Sequence, residues 1–254
     1  MSKIALITGT TSGIGEAAAH TFAKEGFDLI LNGRRADRLT EQAKVIETKY
    51  GVKTYTMQVD VRHAEQVQSF VNLIPAEWQA IDVLVNNAGL AAGLGNLEDG
   101  DLDHWNRMID TNIKGLLHVT KSLIPLLKKT KGHIVNIGSI AGKEVYAGGN
   151  VYCGTKHMVD ALNKAMRREL AETGIRVSSV NPGAVETEFS LVRLDGDEAK
   201  AANVYNGFEN LVAQDIADAI WYIVSRPKHV NINELTIMPT AQPAAGLVIR
   251  DKGL

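Results

Sequence analysis

Lys3-Ile4-Ala5-Leu6-Ile7-Thr8-Gly9-Thr10-Thr11-Ser12-Gly13-Ile14-Gly15 decides the fold. An apolar, β-branched run reads as a buried strand, and the glycines that follow it stand just before a segment of helical period, Ala17 to Glu25. Glycine at such a junction lets the chain turn tightly and bring its backbone against a pyrophosphate, whose charge is met by the helix N-terminus. The spacing is G-x-x-x-G-x-G through Gly9, Gly13 and Gly15, with Thr11, Ser12 and Ile14 between them, and not the more familiar G-x-G-x-x-G.

Outward from this stretch the same alternation continues. Strands are expected at Asp28 to Gly33, Thr54 to Val59, Val83 to Asn86, His133 to Ile137, Ile175 to Asn181 and Leu235 to Met238. Helices are expected at Arg38 to Tyr50, Ala64 to Ile74, His104 to Thr130, Val151 to Thr173 and Ile216 to Val224. Strand and helix in strict turn imply a parallel sheet with crossovers on both faces. The expected fold class is therefore α/β: a Rossmann fold, doubly wound, with a mostly seven-stranded parallel sheet and helices on both faces. Neither a repeat nor a linker interrupts residues 1–254, so a single cofactor-binding catalytic domain is expected. The least regular stretch, 183–214, is expected to form a lid over the substrate.

About twenty residues beyond the glycine turn, a fold that holds NAD carries an acid for the ribose hydroxyls. Here the second strand ends in Asn32-Gly33-Arg34-Arg35, with two guanidiniums and no carboxylate. Arg34 and Arg35 suit a 2′-phosphate, which predicts NADP(H); the other reading makes them the solvated start of a helix with Asp37 and Arg38. Asp60-Val61 closes the third strand and Asn86-Asn87-Ala88-Gly89 the fourth, so every cofactor segment lies at a strand's carboxyl end. Asp60 suits the adenine amino group or, alternatively, the N-cap of Ala64 to Ile74. Ala88 and Gly89 are small enough for a close approach of ribose to backbone.

Tyr152-Cys153-Gly154-Thr155-Lys156 places a phenol and an ammonium one helical turn apart on one face. A free phenol titrates near ~10 and is a poor acid or base at neutral pH. A fixed cation beside it favours the phenolate, so Lys156 is expected to bring Tyr152 toward the working range.

Taken with Asn86-Asn87-Ala88-Gly89, Asn112, Ser139 and Asn181-Pro182-Gly183, these motifs resemble those of the short-chain dehydrogenase/reductase family over nearly the whole chain. The resemblance implies a catalytic set of Asn112, Ser139, Tyr152 and Lys156. Tyr152 is then the general acid/base and Ser139 the group that hydrogen-bonds the substrate oxygen. Lys156 also holds the nicotinamide ribose, and Asn112 supports a water chain. Pro182, Gly183, Val185 and Thr187 flank the nicotinamide. Pro75-Ala76-Glu77-Trp78, Tyr146 to Tyr152, Thr187 to Arg193 and His229 to Asn233 further resemble the NADP-dependent 3-hydroxy acid (serine) dehydrogenase subgroup. That implies a small 3-hydroxy acid substrate and a homotetramer built through the two long helices, where Leu116, Leu117, Leu123, Met158, Leu162 and Met166 supply apolar surface.

A small hydroxy acid needs a partner for its carboxylate, and Arg193 is expected there, completing a substrate-binding set with Ser139 and Tyr152 at the reacting oxygen; the other reading pairs Arg193 with Asp195 or Asp197. Reduction of another carbonyl, such as a 3-oxoacyl thioester or a xenobiotic ketone, and NADP sensing without turnover stay open.

Composition closes off other classes. Lys and Arg total 27 against 29 acids, with no long run of one sign, which argues against nucleic acid as a partner. The seven histidines lack ligand spacing, and no metal is expected. The apolar runs are too short for a bilayer span. One cysteine, Cys153, and an opening that enters a strand directly lead to the expectation of a cytoplasmic protein, with Cys153 as a packing residue.

Overall fold

The computed structural model describes residues 2–250. Its strands are β1 (Ile4–Thr8), β2 (Asp28–Gly33), β3 (Thr54–Gln58), β4 (Ile81–Asn86), β5 (His133–Ile137), β6 (Arg176–Pro182), β7 (Val185–Glu186), β8 (Leu211–Val212) and β9 (Glu234–Ile237). Its helices are α1 (Gly13–Lys24), α2 (Ala36–Tyr50), α3 (Ala64–Asn72), α4 (Leu102–Ile109), α5 (Leu116–Thr130), α6 (Asn150–Glu169), α7 (Phe189–Arg193), α8 (Glu198–Tyr205) and α9 (Ala213–Val224).

Seven strands form one parallel sheet in the order β3-β2-β1-β4-β5-β6-β9. The chain leaves β1 for β2 on one side and returns to pair β4 on the other, so the strand order reverses at β1 and a crevice opens beyond its carboxyl end. Side chains alternate across the sheet and build two cores. Leu6, Ile30, Leu84, Ile134 and Val177 meet Val67, Leu123, Val159 and Met166 of α3, α5 and α6. Ala5, Ile7, Leu29, Val85 and Val135 meet Phe22, Leu39, Ile216 and Ile220 of α1, α2 and α9. Burying each large aliphatic contributes roughly 1.5–3 kcal/mol, which is why the strands read as continuous apolar runs instead of alternating ones.

Three elements differ from expectation. The helix expected from His104 to Thr130 starts at Leu102, where Asp101 accepts from the Asp103 and His104 amides, and it is interrupted by a π-helical turn, Asp110–Gly115. The helix expected to Thr173 stops at Glu169; a 3₁₀ turn, Ala171–Thr173, and left-handed Gly174 finish it. Segment 183–214 is ordered: β7 and β8 pair in parallel at its base, and α7 and α8 lie between them. Of the six apolar residues on the two long helices, some of them expected at an interface, Leu117 and Met158 are exposed, whereas Leu116, Leu123 and Met166 belong to the core and Leu162 packs against it.

Candidate active site

The crevice is stitched by polar contacts between β1 and β4. The Thr8 hydroxyl accepts from the amides of Asn87 at 3.0 Å and Ala88 at 2.9 Å, and the Asn87 side-chain amide donates to the carbonyls of Thr8 at 2.8 Å and Gly9 at 3.1 Å. Gly9 has φ of 71°, a left-handed conformation that glycine adopts freely. At Gly15 the reason is contact: a Cβ there would sit 2.2 Å from the Gly9 carbonyl oxygen. The first turn of α1 is thereby pressed against the end of β1, and its free amides face the cleft.

One continuous cleft gathers Gly9, Thr11, Ser12, Gly13, Ile14, Arg34, Arg35, Asp60, Val61, Asn87, Ala88, Gly89, Ser139, Tyr152, Lys156, Pro182, Gly183, Val185 and Thr187. Three expected residues stand behind its wall: Gly15, Asn112 and Arg193. Arg34 is largely exposed, with the Asp60 carboxylate 4.0 Å away. Arg35 is tied down, donating to the Thr11 hydroxyl, the Thr11 carbonyl, the Ser12 hydroxyl and Glu188. Asp60 does not cap α3, whose N-cap is His63; it accepts from the Arg62 amide and guanidinium, and those bonds hold its carboxyl below the usual range against the opposing effect of burial.

At the other end of the cleft, α6 presents Tyr152 and Lys156, both buried. The Lys156 ammonium donates to the Ile137 carbonyl at 2.9 Å and stands 6.0 Å from the centre of the Tyr152 ring. Ser139 begins a 3₁₀ turn, accepting from the Ala141 amide at 3.1 Å and donating to the Pro182 carbonyl at 3.4 Å, and like Tyr152 it lines the cleft. Asn112, in the π turn, has its side chain fully engaged: it accepts from the Leu90 amide at 2.8 Å and donates to the Leu90 carbonyl at 2.8 Å and the Thr155 hydroxyl at 3.0 Å. Asn112 thus fixes the loop after Gly89 to the helix that carries Tyr152.

Burial dominates the titration of the pair. It pushes the Tyr152 phenol above its ordinary range and draws the Lys156 ammonium down to about 8. The protein frame by itself therefore does not produce the downward shift of Tyr152 that helical spacing suggested. Ser139 and the Arg193 guanidinium pull the phenol down, but desolvation is larger.

Arg193 pairs with neither Asp195 nor Asp197. Asp195 faces His104 and Asp197 caps α8. Its guanidinium lies 5.6 Å from the Tyr152 ring centre and 5.5 Å from that of Tyr146, and it donates to the Tyr146 hydroxyl at 2.9 Å and the Gly93 carbonyl at 3.3 Å. Its Nη2 is buried without a partner among the described residues.

A family model described as short chain dehydrogenase matches residues 3–195. The chain belongs to that family. It is 42% identical over 246 residues, 96% of this chain and 98% of the relative, to the NADP-dependent 3-hydroxy acid dehydrogenase YdfG of Escherichia coli (strain K12). It is 46% identical over 244 residues, 95% of this chain and 96% of the relative, to sulfoacetaldehyde reductase 2 of Chromohalobacter salexigens. A closed form of serine dehydrogenase complexed with NADP+ superimposes with a TM-score of 0.91 at 41% identity, covering 98% of this chain and 100% of that one.

Several residues of this short-chain dehydrogenase site escaped the sequence reading. Phe189 packs edge-on against Tyr152 at 5.7 Å between ring centres. Tyr146 braces Arg193. The Gln242 side-chain oxygen accepts from the Ala184 amide at 2.7 Å and so fixes the turn after Gly183. Thr8 and Gln42, which donates to the Thr10 carbonyl at 2.8 Å, support the glycine turn from behind. Thr8, inside the glycine motif, and Tyr146 and Phe189, as aromatics beside the motif residues, carried a signal; Gln42 and Gln242 are polar residues whose partners come from distant elements.

Proposed function

We propose that the chain is an NADP-dependent oxidoreductase that moves a hydride between nicotinamide and the hydroxyl or carbonyl carbon of a small 3-hydroxy acid. The observation that carries the substrate class is Arg193: a guanidinium just behind the cleft wall beside the Tyr152 ring, whose buried Nη2 has no partner among the described residues and suits an anion that displaces that wall as it binds. The residues fit the dinucleotide. The glycine turn has no room for a Cβ at Gly15, and Arg34 is a cation with no hydrogen bond among the described residues, at the end of β2 where a 2′-phosphate would lie. Arg35 supports it from the side through Thr11 and Ser12. Asp60 faces the adenine, Val61, Ala88 and Gly89 form the wall, and Pro182, Gly183, Val185 and Thr187 flank the nicotinamide.

When bound, the cofactor gives or accepts the hydride, and in its oxidised form it adds a positive charge near Tyr152. In the oxidation direction Tyr152 takes the proton of the substrate hydroxyl; in reduction it returns one to the developing alkoxide. Ser139 orients the reacting oxygen. Lys156 contributes charge in a dry setting and holds the nicotinamide ribose. Because the Asn112 side chain is committed to Leu90 and Thr155, its part in a water chain falls to backbone carbonyls of the π turn.

Segment 183–214 serves as the substrate lid of a single catalytic domain, and α4 to α6 supply the interface of a homotetramer, with Leu117 and Met158 exposed for it. Among the described residues no helix is long and apolar enough to cross a membrane, and we assign the protein to the cytoplasm. A second reading is reduction of a sulfonated aldehyde, because the unpartnered donors of Arg193 suit a sulfonate as well as a carboxylate. Initial rates with NADP and NAD for serine and 3-hydroxypropionate, and with NADPH and NADH for sulfoacetaldehyde and a 3-oxoacyl thioester, test these readings. The highest kcat/KM is expected for NADP with a small hydroxy acid. A preference for NAD, or for the neutral thioester, would overturn the cofactor or the substrate assignment respectively.

A further inference from the structure

Glu188 stands at the root of segment 183–214, between Thr187 and α7, yet its carboxylate reaches the start of α2 some 150 residues away in sequence. Oε2 accepts from Arg35 at 3.1 Å and Oε1 from Arg38 at 2.8 Å. Both guanidiniums also reach the glycine turn: Arg35 holds Thr11 and Ser12 through the nitrogens that do not meet Glu188, and the Arg38 Nη1 is shared between Glu188 and the Thr11 carbonyl at 3.4 Å. Three walls of the cleft therefore meet at one carboxylate. Thr11, Ser12, Arg35 and Glu188 all line it, and the Thr187 side chain closes to 3.2 Å of the position a Cβ would take on Gly13.

The linkage lies on the cleft at the glycine turn, where the dinucleotide reading places a pyrophosphate. Its members are half exposed, so the link is exchangeable with water and salt. Hydrogen bonds from Arg38 and Arg35 keep the Glu188 carboxyl below the usual range, and the link stays charged at neutral pH. Arg35 has Nε, Nη1 and Nη2 all engaged, whereas Arg34 makes no hydrogen bond among the described residues. Reading of a 2′-phosphate and fastening of the cleft thus fall to different arginines.

We propose that Glu188 is a clasp: a positioning residue that fastens the root of the lid to the corner of β2 and α2 over the bound dinucleotide, and so sets how fast the cofactor leaves. The inference rests on the dinucleotide reading above. Release of NADPH is followed by stopped-flow fluorescence after mixing the complex with excess NADP+, at low and at high salt, in the wild type, Glu188→Gln, Arg38→Gln and the double variant. At low salt each single variant is expected to release NADPH roughly two- to fivefold faster. The double variant is expected to be no faster than the faster single, because both changes break one link. Salt accelerates release from the wild type more than from Glu188→Gln, in which only the remaining phosphate contacts are screened, and the substitution accelerates NADH release as much as NADPH release. Unchanged release in Glu188→Gln, additive effects, or an effect on NADPH without one on NADH would overturn the clasp, the last by moving Glu188 into the 2′-phosphate subsite. Absence of any binding signal with NADPH in the wild type would overturn the dinucleotide reading and the clasp with it.

Discussion

Replacing Lys156 by Met separates what the buried ammonium costs from what it contributes. Lys156 is 7% exposed, donates to the Ile137 carbonyl, and is drawn by burial from an ordinary 10.5 to about 8. A displacement of that size corresponds to on the order of 3 kcal/mol of preference for the neutral form in the folded chain. The sign follows from proton counting. Between about 8 and 10.5 the unfolded chain still holds the proton that the folded chain has released, so stability rises with pH across this window. Below it the penalty is present in full. In Lys156→Met the penalty is absent at every pH, while the hydrogen bond to Ile137 is lost, at a cost of about 1.5–3 kcal/mol that offsets the gain near neutrality. The slope is therefore the decisive quantity. Urea unfolding of both proteins from pH 7.5 to 10.5 is expected to show the wild type gaining on the variant by about 3 kcal/mol, with the titration of the tyrosines cancelling in the difference. Parallel stability curves would refute the claim that burial sets the state of this lysine.

Tyr152→Phe is expected to lower kcat by roughly 10²–10⁴ while NADPH affinity is retained, as read by steady-state rates and fluorescence titration. Arg193→Leu is expected to lower kcat/KM for a hydroxy acid roughly ten- to a hundredfold and to leave a neutral ketone nearly unaffected; equal losses on both would make Arg193 a brace for Tyr146 alone. Gly15→Ala forces a methyl group to 2.2 Å from the Gly9 carbonyl oxygen, so α1 must shift. Calorimetry is expected to show NADPH affinity lowered about tenfold or more, and thermal unfolding a loss of roughly 1–3 kcal/mol.

The sheet was legible because apolar runs covered on both faces leave a mark that single substitutions do not erase, and β1 through β6 fall within a residue or two of their expected places. The glycine turn and the Tyr152–Lys156 pair were legible for a similar reason: their geometry is local. What escaped was non-local. The direction of the Tyr152 shift depends on how dry α6 is against β5 and β6, which spacing does not report. Glu188 finds Arg35 and Arg38, and Gln242 finds Ala184, through the folded topology alone. Segment 183–214 read as irregular because α7 has only five residues and β7 and β8 two each, too few for any period to emerge.

The π turn at Asp110–Gly115 has a mechanical consequence. A wider turn holds one more residue than an α turn, and one residue corresponds to about 100° of rotation around the axis. The rod from Leu102 to Thr130 therefore changes the direction it faces midway. Met108 looks toward Ala141 and Cys153 around the catalytic chamber, while Leu116, Val119 and Leu123 look into the sheet. It works as a phase shifter, letting one continuous piece of backbone serve two layers. Deleting a single residue there would restore regular winding and turn one half of the rod to the wrong partner.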